Sequence, residues 1–135
     1  MSADTRYTPL LGRILIAVIF ILSGFSKLTA PAATAGYIAS AGLPLPYVGL
    51  IAAILAEVGG GLLLLVGYQT RLAAVVLAVF SVAAALAFHN NLGDQNQMIH
   101  FLKNLAMAGG LLQVAAFGAG SFSLDARRSG SPARA

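Results

Sequence analysis

Cysteine and tryptophan are both absent from this chain of 135 residues. Without cysteine the chain has no disulfide bonds, thiolate metal sites, iron–sulfur clusters or thiol redox chemistry of its own, and no motif for covalent attachment of haem. Without tryptophan, any aromatic belt at a membrane interface must be built from tyrosine and phenylalanine.

Charge is also scarce. Charged residues make up 9% of the chain and hydrophobic residues 59%, and the mean hydropathy is +0.86. A soluble globular protein has about 25% charged residues. This composition excludes a soluble enzyme domain, a disordered chain and a coiled coil, and it indicates that lipid is the solvent. The net charge of +4 is not gathered on a face rich in aromatic residues, so no nucleic-acid partner is expected.

Four apolar segments of 17 to 20 residues each divide the sequence. A bilayer core of about 30 Å needs about 20 helical residues at a rise of about 1.5 Å per residue. The sequence therefore predicts an all-α integral membrane protein, a four-helix bundle forming one domain over residues 1–128. The predicted transmembrane helices cover residues 10–28, 47–66, 72–88 and 99–117.

The connections support this arrangement. The link Gly67–Arg71 is so short that the second and third helices must be antiparallel neighbours. In the longer first connection, Pro31 suits the first turn of a helix and Gly42 suits its C-terminal cap. We expect a short helix over Pro31–Ser40 that lies at the membrane surface. A cleaved signal peptide is the alternative for the first segment, but its apolar run is long for one.

Lysine and arginine near the helix ends set the orientation of a multi-pass protein. Four spans place both termini and the Gly67–Arg71 turn on one side, which collects six of the eight basic residues, while Lys27 and Lys103 lie on the other side. The larger group consists of Arg6, Arg13, Arg71, Arg127, Arg128 and Arg134. Both termini are therefore predicted to be cytoplasmic, with residues 129–135 forming a disordered tail.

Glu57 lies near the middle of the second apolar segment, about 15 Å from its start. Gly60 and Gly61 share its helix face and allow a neighbouring helix to approach closely, so Glu57 should face the bundle interior. Lys103 is the first candidate for its ionic partner and Lys27 the second. Either the pair only fixes helix packing, or desolvation prepares Glu57 to handle a proton or a polar group of a substrate.

Two histidines, His89 and His100, end the third segment and begin the fourth, with Asp94 in the loop between them. Such a group could bind a metal ion or haem, or could take protons from a quinol. Polar helix ends are the simpler interpretation, and no metal site is predicted. Asn104 and Gln113 are interpreted mainly as hydrogen-bonding residues between helices.

One face of the first helix carries small residues between two charged ones. Its members recur at helical spacing: Arg13, Ala17, Phe20, Gly24 and Lys27. We expect the Arg13 side chain to extend toward the nearer membrane surface.

The chain resembles the DoxX family of small bacterial membrane proteins over about residues 10–128. The matching stretches are Arg13-Ile14-Leu15, Ser23-Gly24-Phe25-Ser26-Lys27, Gly42-Leu43-Pro44, Glu57 with the glycine-rich run to Gly67–Arg71, Phe101–Ala106 with Gly109-Gly110, and Ser123-Leu124-Asp125. The resemblance implies a four-helix bundle in the bacterial inner membrane, with some members acting as subunits of quinone-linked oxidoreductase systems. The matching polar positions are Lys27, Glu57, Arg71, Lys103 and Asn104, and the resemblance assigns none of them a catalytic role.

Three functions are compatible with these features. The chain could be an accessory membrane subunit of a redox system, with a partner protein or a second copy of itself. It could be a quinone-linked oxidoreductase component, or a small transporter or lipid-handling protein that uses Glu57 as a proton or substrate site. The catalytic candidates are Glu57, Lys103, His89 and His100, and the candidates for binding a cofactor, possible quinone included, are Lys27, Glu57, Lys103 and Asn104. No motif of a self-contained hydrolase or kinase is present.

Overall fold

The computed structural model describes residues 3–129, which form seven α-helices and no strand. A π-helical turn, Leu55–Gly59, joins the third helix to the fourth, so that a single span runs from Pro46 to Val66. The helices are α1 (Ala3–Thr29), α2 (Pro31–Ser40), α3 (Pro46–Ile54), α4 (Gly60–Val66), α5 (Thr70–Phe88), α6 (Gln95–Phe117) and α7 (Leu124–Ser129). The predicted all-helical membrane fold is confirmed.

Within the described part of the chain, three helical segments are long and apolar enough to cross a membrane: Thr5–Thr29, Pro46–Val66 and Thr70–Phe88. The fourth predicted span forms a helix, α6, but it is not among these three. Polar side chains, Lys103 and Asn104 among them, interrupt its apolar residues in the first half. A fourth membrane crossing by α6 therefore stays a prediction.

Proline and glycine set the helix ends near the predicted positions. Pro31 begins α2, and Gly42 follows its end with a φ of +83°, a conformation that glycine adopts without strain. Gly67 ends α4 in the same way with a φ of +72°, and its N–H donates to the carbonyl of Leu63 at 2.9 Å. The short helix after the first span thus has the bounds that the sequence predicts.

The central core is made largely of small side chains, which allow the helices to approach closely. Its buried members come from α1, α4, α5 and α6: Ala17, Phe20, Leu64, Ala74, Leu77, Ala78, Ala108 and Leu111. A second cluster joins α2 to α3 through Ala35, Ile38 and Leu50. The bundle therefore has one main core shared by four helices, a smaller one between α2 and α3, and a third buried pair, Ala119 and Ala126, near the C-terminal end.

Arg13 does not extend to the membrane surface, so that prediction was wrong. Its side chain is 1% exposed. The guanidinium donates to the carbonyl oxygens of Leu64 at 2.9 Å and Leu65 at 3.0 Å, at the end of α4. It also donates to Ala119 at 2.9 Å and to Phe122, both in the segment after α6. A buried cation is tolerated here because backbone carbonyls at a helix end surround it.

Asp125, on the short helix α7, caps the start of α5. Its two carboxylate oxygens accept hydrogen bonds from the N–H groups of Gln69 and Thr70, both at 2.9 Å. The Arg128 guanidinium of the same helix lies 5.1 Å from the centre of the Tyr68 ring. The sequence predicts no helix here and assigns Ser129 to the disordered tail, whereas α7 extends through Ser129. Of the predicted disordered tail, residues 130–135 lie outside the described residues.

Partial burial opposes ionisation of Asp125. Hydrogen bonds from Thr70 and Gln69, together with the charge of Arg128, outweigh that effect and hold the pKa of the carboxyl below its ordinary value. The carboxylate is therefore ionised in the folded protein at all but strongly acidic pH.

Replacing Asp125 with alanine is expected to lower the free energy of unfolding at neutral pH by about 1 kcal/mol, because two N–H groups of α5 lose their acceptor. The ordinary pKa of about 3.9 applies to the unfolded chain, so this contribution is complete above about pH 4. It is lost as the pH falls through the lower, folded value. Thermal unfolding of both proteins across this pH range measures the difference. A difference that stays constant down to the lowest pH would contradict the assignment.

Candidate functional site

A cavity of about 640 Å³ lies between α1, α2, the π-helical turn, α5 and α6. Its volume falls in the range of about 300–1,000 Å³ that is typical of small-molecule sites. Its walls are mostly apolar, and a few polar groups converge on it. All six candidate residues that the sequence proposes line this one cavity: Lys27, Glu57, His89, His100, Lys103 and Asn104.

Glu57 and Lys27 form the ion pair of the cavity. The Glu57 Oε1 atom lies 2.7 Å from the Lys27 Nζ atom. The Glu57 side chain is 2% exposed and the Lys27 side chain 24% exposed, so the lysine is the more accessible partner. Lys27 also donates to the hydroxyl of Ser23, one turn earlier on α1, at 3.1 Å.

Glu57 lies in the π-helical turn Leu55–Gly59, which interrupts the span Pro46–Val66. Turns of this kind occur mostly as single insertions in α-helices and are frequent at functional sites. Gly24 of α1 lies directly against the turn: a Cβ atom at Gly24 would stand 2.6 Å from Val58 Cγ2 and 3.1 Å from Glu57 Cβ. At Gly61, a Cβ atom would stand 2.8 Å from Ile21 Cγ1. Close packing of α1 on this span therefore brings Lys27, one turn after Gly24, to Glu57.

Lys103 was the first predicted partner of Glu57, and the structure corrects that choice. Lys103 lines the cavity, but among the described residues no carboxylate lies within ion-pair distance of it. Depth along each helix can be counted from the sequence, whereas the rotation of α6 cannot. Since α6 packs mainly on α5 and touches α1 only slightly, its lysine stays apart from the pair.

Asn104 was expected to join two helices. Instead its amide donates to the carbonyl of His100 in its own helix at 3.1 Å. Asn104 still lines the cavity.

The two histidines meet as ring-stacking partners. The rings of His89 and His100 lie 5.0 Å apart between centres, at an interplanar angle of 26°. Burial and the neighbouring His100 both lower the pKa of His89, so it is neutral at pH 7. Asp94 does not join them, because its carboxylate caps α6 by accepting from the N–H groups of Asn96 and Gln97. Residues 3–129 hold no group of three potential metal ligands.

Aromatic side chains that the sequence did not assign to the site form much of the cavity wall. Tyr37 of α2 stacks on Phe88 of α5, with ring centres 5.2 Å apart, and both line the cavity with Phe80 and Met107. No sequence pattern reveals this wall, because it depends on how α2 folds back over α5.

The cavity thus combines an apolar, aromatic interior with a buried carboxylate, two ammonium groups, an amide and two imidazoles. Such a set can hold a flat or chain-like apolar molecule and can hydrogen-bond a polar head.

Comparisons with known proteins identify the family of this chain. The DoxX family model matches residues 8–90. Inner membrane protein YqjF of Escherichia coli is 40% identical over 119 residues, which cover 86% of this chain and 88% of that protein. Inner membrane protein YphA of the same organism is 37% identical over 123 residues, covering 87% and 88%. No solved structure matches the chain. The resemblance seen in the sequence motifs is therefore confirmed, and this chain belongs to the DoxX family.

Proposed function

We propose that this protein is a quinone-linked accessory subunit of a membrane redox system, and that the cavity binds the head of a lipid-soluble quinone. The observation that supports the proposal is the convergence of all six polar candidates on one largely apolar cavity. Two relatives are named inner membrane proteins, and we propose the same membrane for this chain, crossed several times with both termini in the cytoplasm.

The residues present fit a quinone. Its ring is flat and apolar, which suits the wall made by Tyr37, Phe80 and Phe88. Its two carbonyl oxygens accept hydrogen bonds, and the amide of Asn104 and the ammonium of Lys103 are donors on the cavity lining. A bound quinone supplies two-electron chemistry that is coupled to protons.

Glu57 and the histidines would supply the proton side of that chemistry. Glu57 is buried beside Lys27, and His89 presents a neutral imidazole to the same cavity. Because the chain has no cysteine, we propose that the electrons come from or go to a partner protein. Purification in mild detergent should then retain that partner, and a chain that repeatedly purifies alone would count against the accessory role.

Ligand-dependent thermal stability tests the quinone site. A short-chain quinone at about 100 times its Kd should stabilise the wild-type protein in detergent by about 2.7 kcal/mol, because it binds only the folded state. We expect the Lys103→Met protein, which lacks one donor to a quinone carbonyl, to show a clearly smaller increase in melting temperature. The absence of any increase in the wild-type protein would refute the quinone site, and an equal increase in both proteins would remove Lys103 from it.

A second candidate function is a small transporter or lipid-handling protein. The π-helical turn favours it, since an irregular turn beside a buried ion pair offers a local site for proton or substrate binding within a span. The flux of protons or of a transported substrate into proteoliposomes should then depend on pH and on Glu57. Flux that is independent of both would exclude this alternative.

A further inference from the structure

The Glu57 carboxylate has unused capacity to accept hydrogen bonds. Oε1 is fully buried and paired with the Lys27 ammonium at 2.7 Å, and no other described residue donates a hydrogen bond to the carboxylate. An ionised carboxylate offers about four lone-pair sites. Buried polar atoms are rarely left without a partner in the functional state of a protein. The site is therefore short of a hydrogen-bond donor at Glu57.

Two other polar groups on the cavity lining have the opposite character. Lys27 and Lys103 only donate, and the Asn104 amide can donate as well as accept. A ligand head that satisfies both kinds of group must carry at least one O–H or N–H donor together with oxygen acceptors.

The oxidised and reduced forms of a quinone differ in whether they can donate a hydrogen bond. The quinone has two carbonyl oxygens and no donor. The quinol has two hydroxyl groups, each of which donates one hydrogen bond and can also accept. Only the reduced head can donate to Glu57.

We infer that the cavity binds the reduced, hydroxyl-bearing head in preference to the quinone, with Glu57 as the acceptor of a ligand O–H. This inference rests on the proposed function and adds the redox state of the bound form. It makes Glu57 the residue that distinguishes the two forms, and it makes quinol the form that this subunit retains.

Three probes test the preference: decylubiquinol, decylubiquinone and the dimethyl ether of decylubiquinol. The ether keeps the aromatic ring of the quinol but has no O–H donor. Titration calorimetry without oxygen, on the purified protein in detergent, gives each Kd. A hydrogen bond to a buried charge should make the quinol bind at least about tenfold more tightly than either other probe.

Variants test whether Glu57 causes the preference for quinol over quinone. The single change Glu57→Gln leaves Lys27 without its partner and could unfold the protein, so the double variant Lys27→Met/Glu57→Leu removes acceptor and charge together. We expect this double variant to lose the tenfold preference. Asp94→Asn changes a carboxylate outside the cavity, and this variant should keep the tenfold preference for quinol.

The outcomes separate the two proposals. Equal affinity of the wild-type protein for all three probes would overturn the quinol preference and leave the quinone site standing. No binding of any probe would overturn the proposed function itself. A preference that survives in the double variant would overturn the assignment to Glu57.

Discussion

Replacing Arg13 with methionine is expected to lower the free energy of unfolding by about 4 kcal/mol, or to prevent the protein from accumulating. The change leaves four backbone carbonyls without their donor, at the end of α4 and in the segment after α6. Each buried group left unsatisfied costs about 1–3 kcal/mol, and the chain can relax to satisfy only some of them. Reversible unfolding in mixed micelles measures the loss.

Two further variants show whether the geometry of the guanidinium, rather than its charge, is what matters. Arg13→Lys keeps the charge but has a compact ammonium that cannot reach carbonyls on two sides, so it should recover only a small part of the stability. Arg6→Met removes an exposed arginine from the same helix and should change the stability by less than about 0.5 kcal/mol. Equal losses for Arg13→Met and Arg6→Met would show that the network does not hold the helices together.

Breaking the Lys27–Glu57 pair from one side is expected to destabilise the protein by about 3 kcal/mol. Glu57→Gln leaves the Lys27 ammonium without its partner, and Lys27→Met leaves a carboxylate that is almost fully buried. Removing one partner of a buried pair is strongly destabilising because an uncompensated charge remains. Unfolding in mixed micelles at pH 7 compares the two variants with the wild-type protein.

The double variant Lys27→Met/Glu57→Leu separates structure from function. Apolar replacement of a whole buried pair is often neutral for stability, so the double variant should be more stable than either single one. It should nevertheless bind quinol more weakly than the wild-type protein does, because the acceptor for the ligand hydroxyl is gone. If the double variant binds quinol normally, the pair serves only helix packing, which is the other interpretation that the sequence left open.

The sequence predicted the class of fold because the cause is simple: long apolar segments, little charge, and proline or glycine at the turns. It also identified Glu57, because an acidic residue in the middle of a span is costly and must have a reason. The bounds of α2 followed from Pro31 and Gly42. These are local properties of the chain, and a single sequence contains them.

The remaining features depend on how the helices are rotated and packed. Lys27 rather than Lys103 pairs with Glu57 because Gly24 brings α1 against the π-helical turn. Arg13 looked like a residue for the membrane surface, since the carbonyls that surround it come from segments more than 50 residues away. The π-helical turn itself has no mark in the sequence. Such contacts between residues far apart in the sequence decide which polar residue is structural and which lines the cavity.

A cavity-filling substitution tests the central claim most directly, because it leaves every polar group in place. Ala84 lines the cavity, whereas its neighbour Ala83 is exposed and does not line it. Binding of decylubiquinol and decylubiquinone to Ala84→Phe and Ala83→Phe should be measured by calorimetry beside the wild-type protein. The account predicts that Ala84→Phe binds at least about tenfold more weakly, a loss of about 1.4 kcal/mol, while Ala83→Phe binds normally. Unchanged binding in a folded Ala84→Phe protein would show that the ligand does not occupy this cavity.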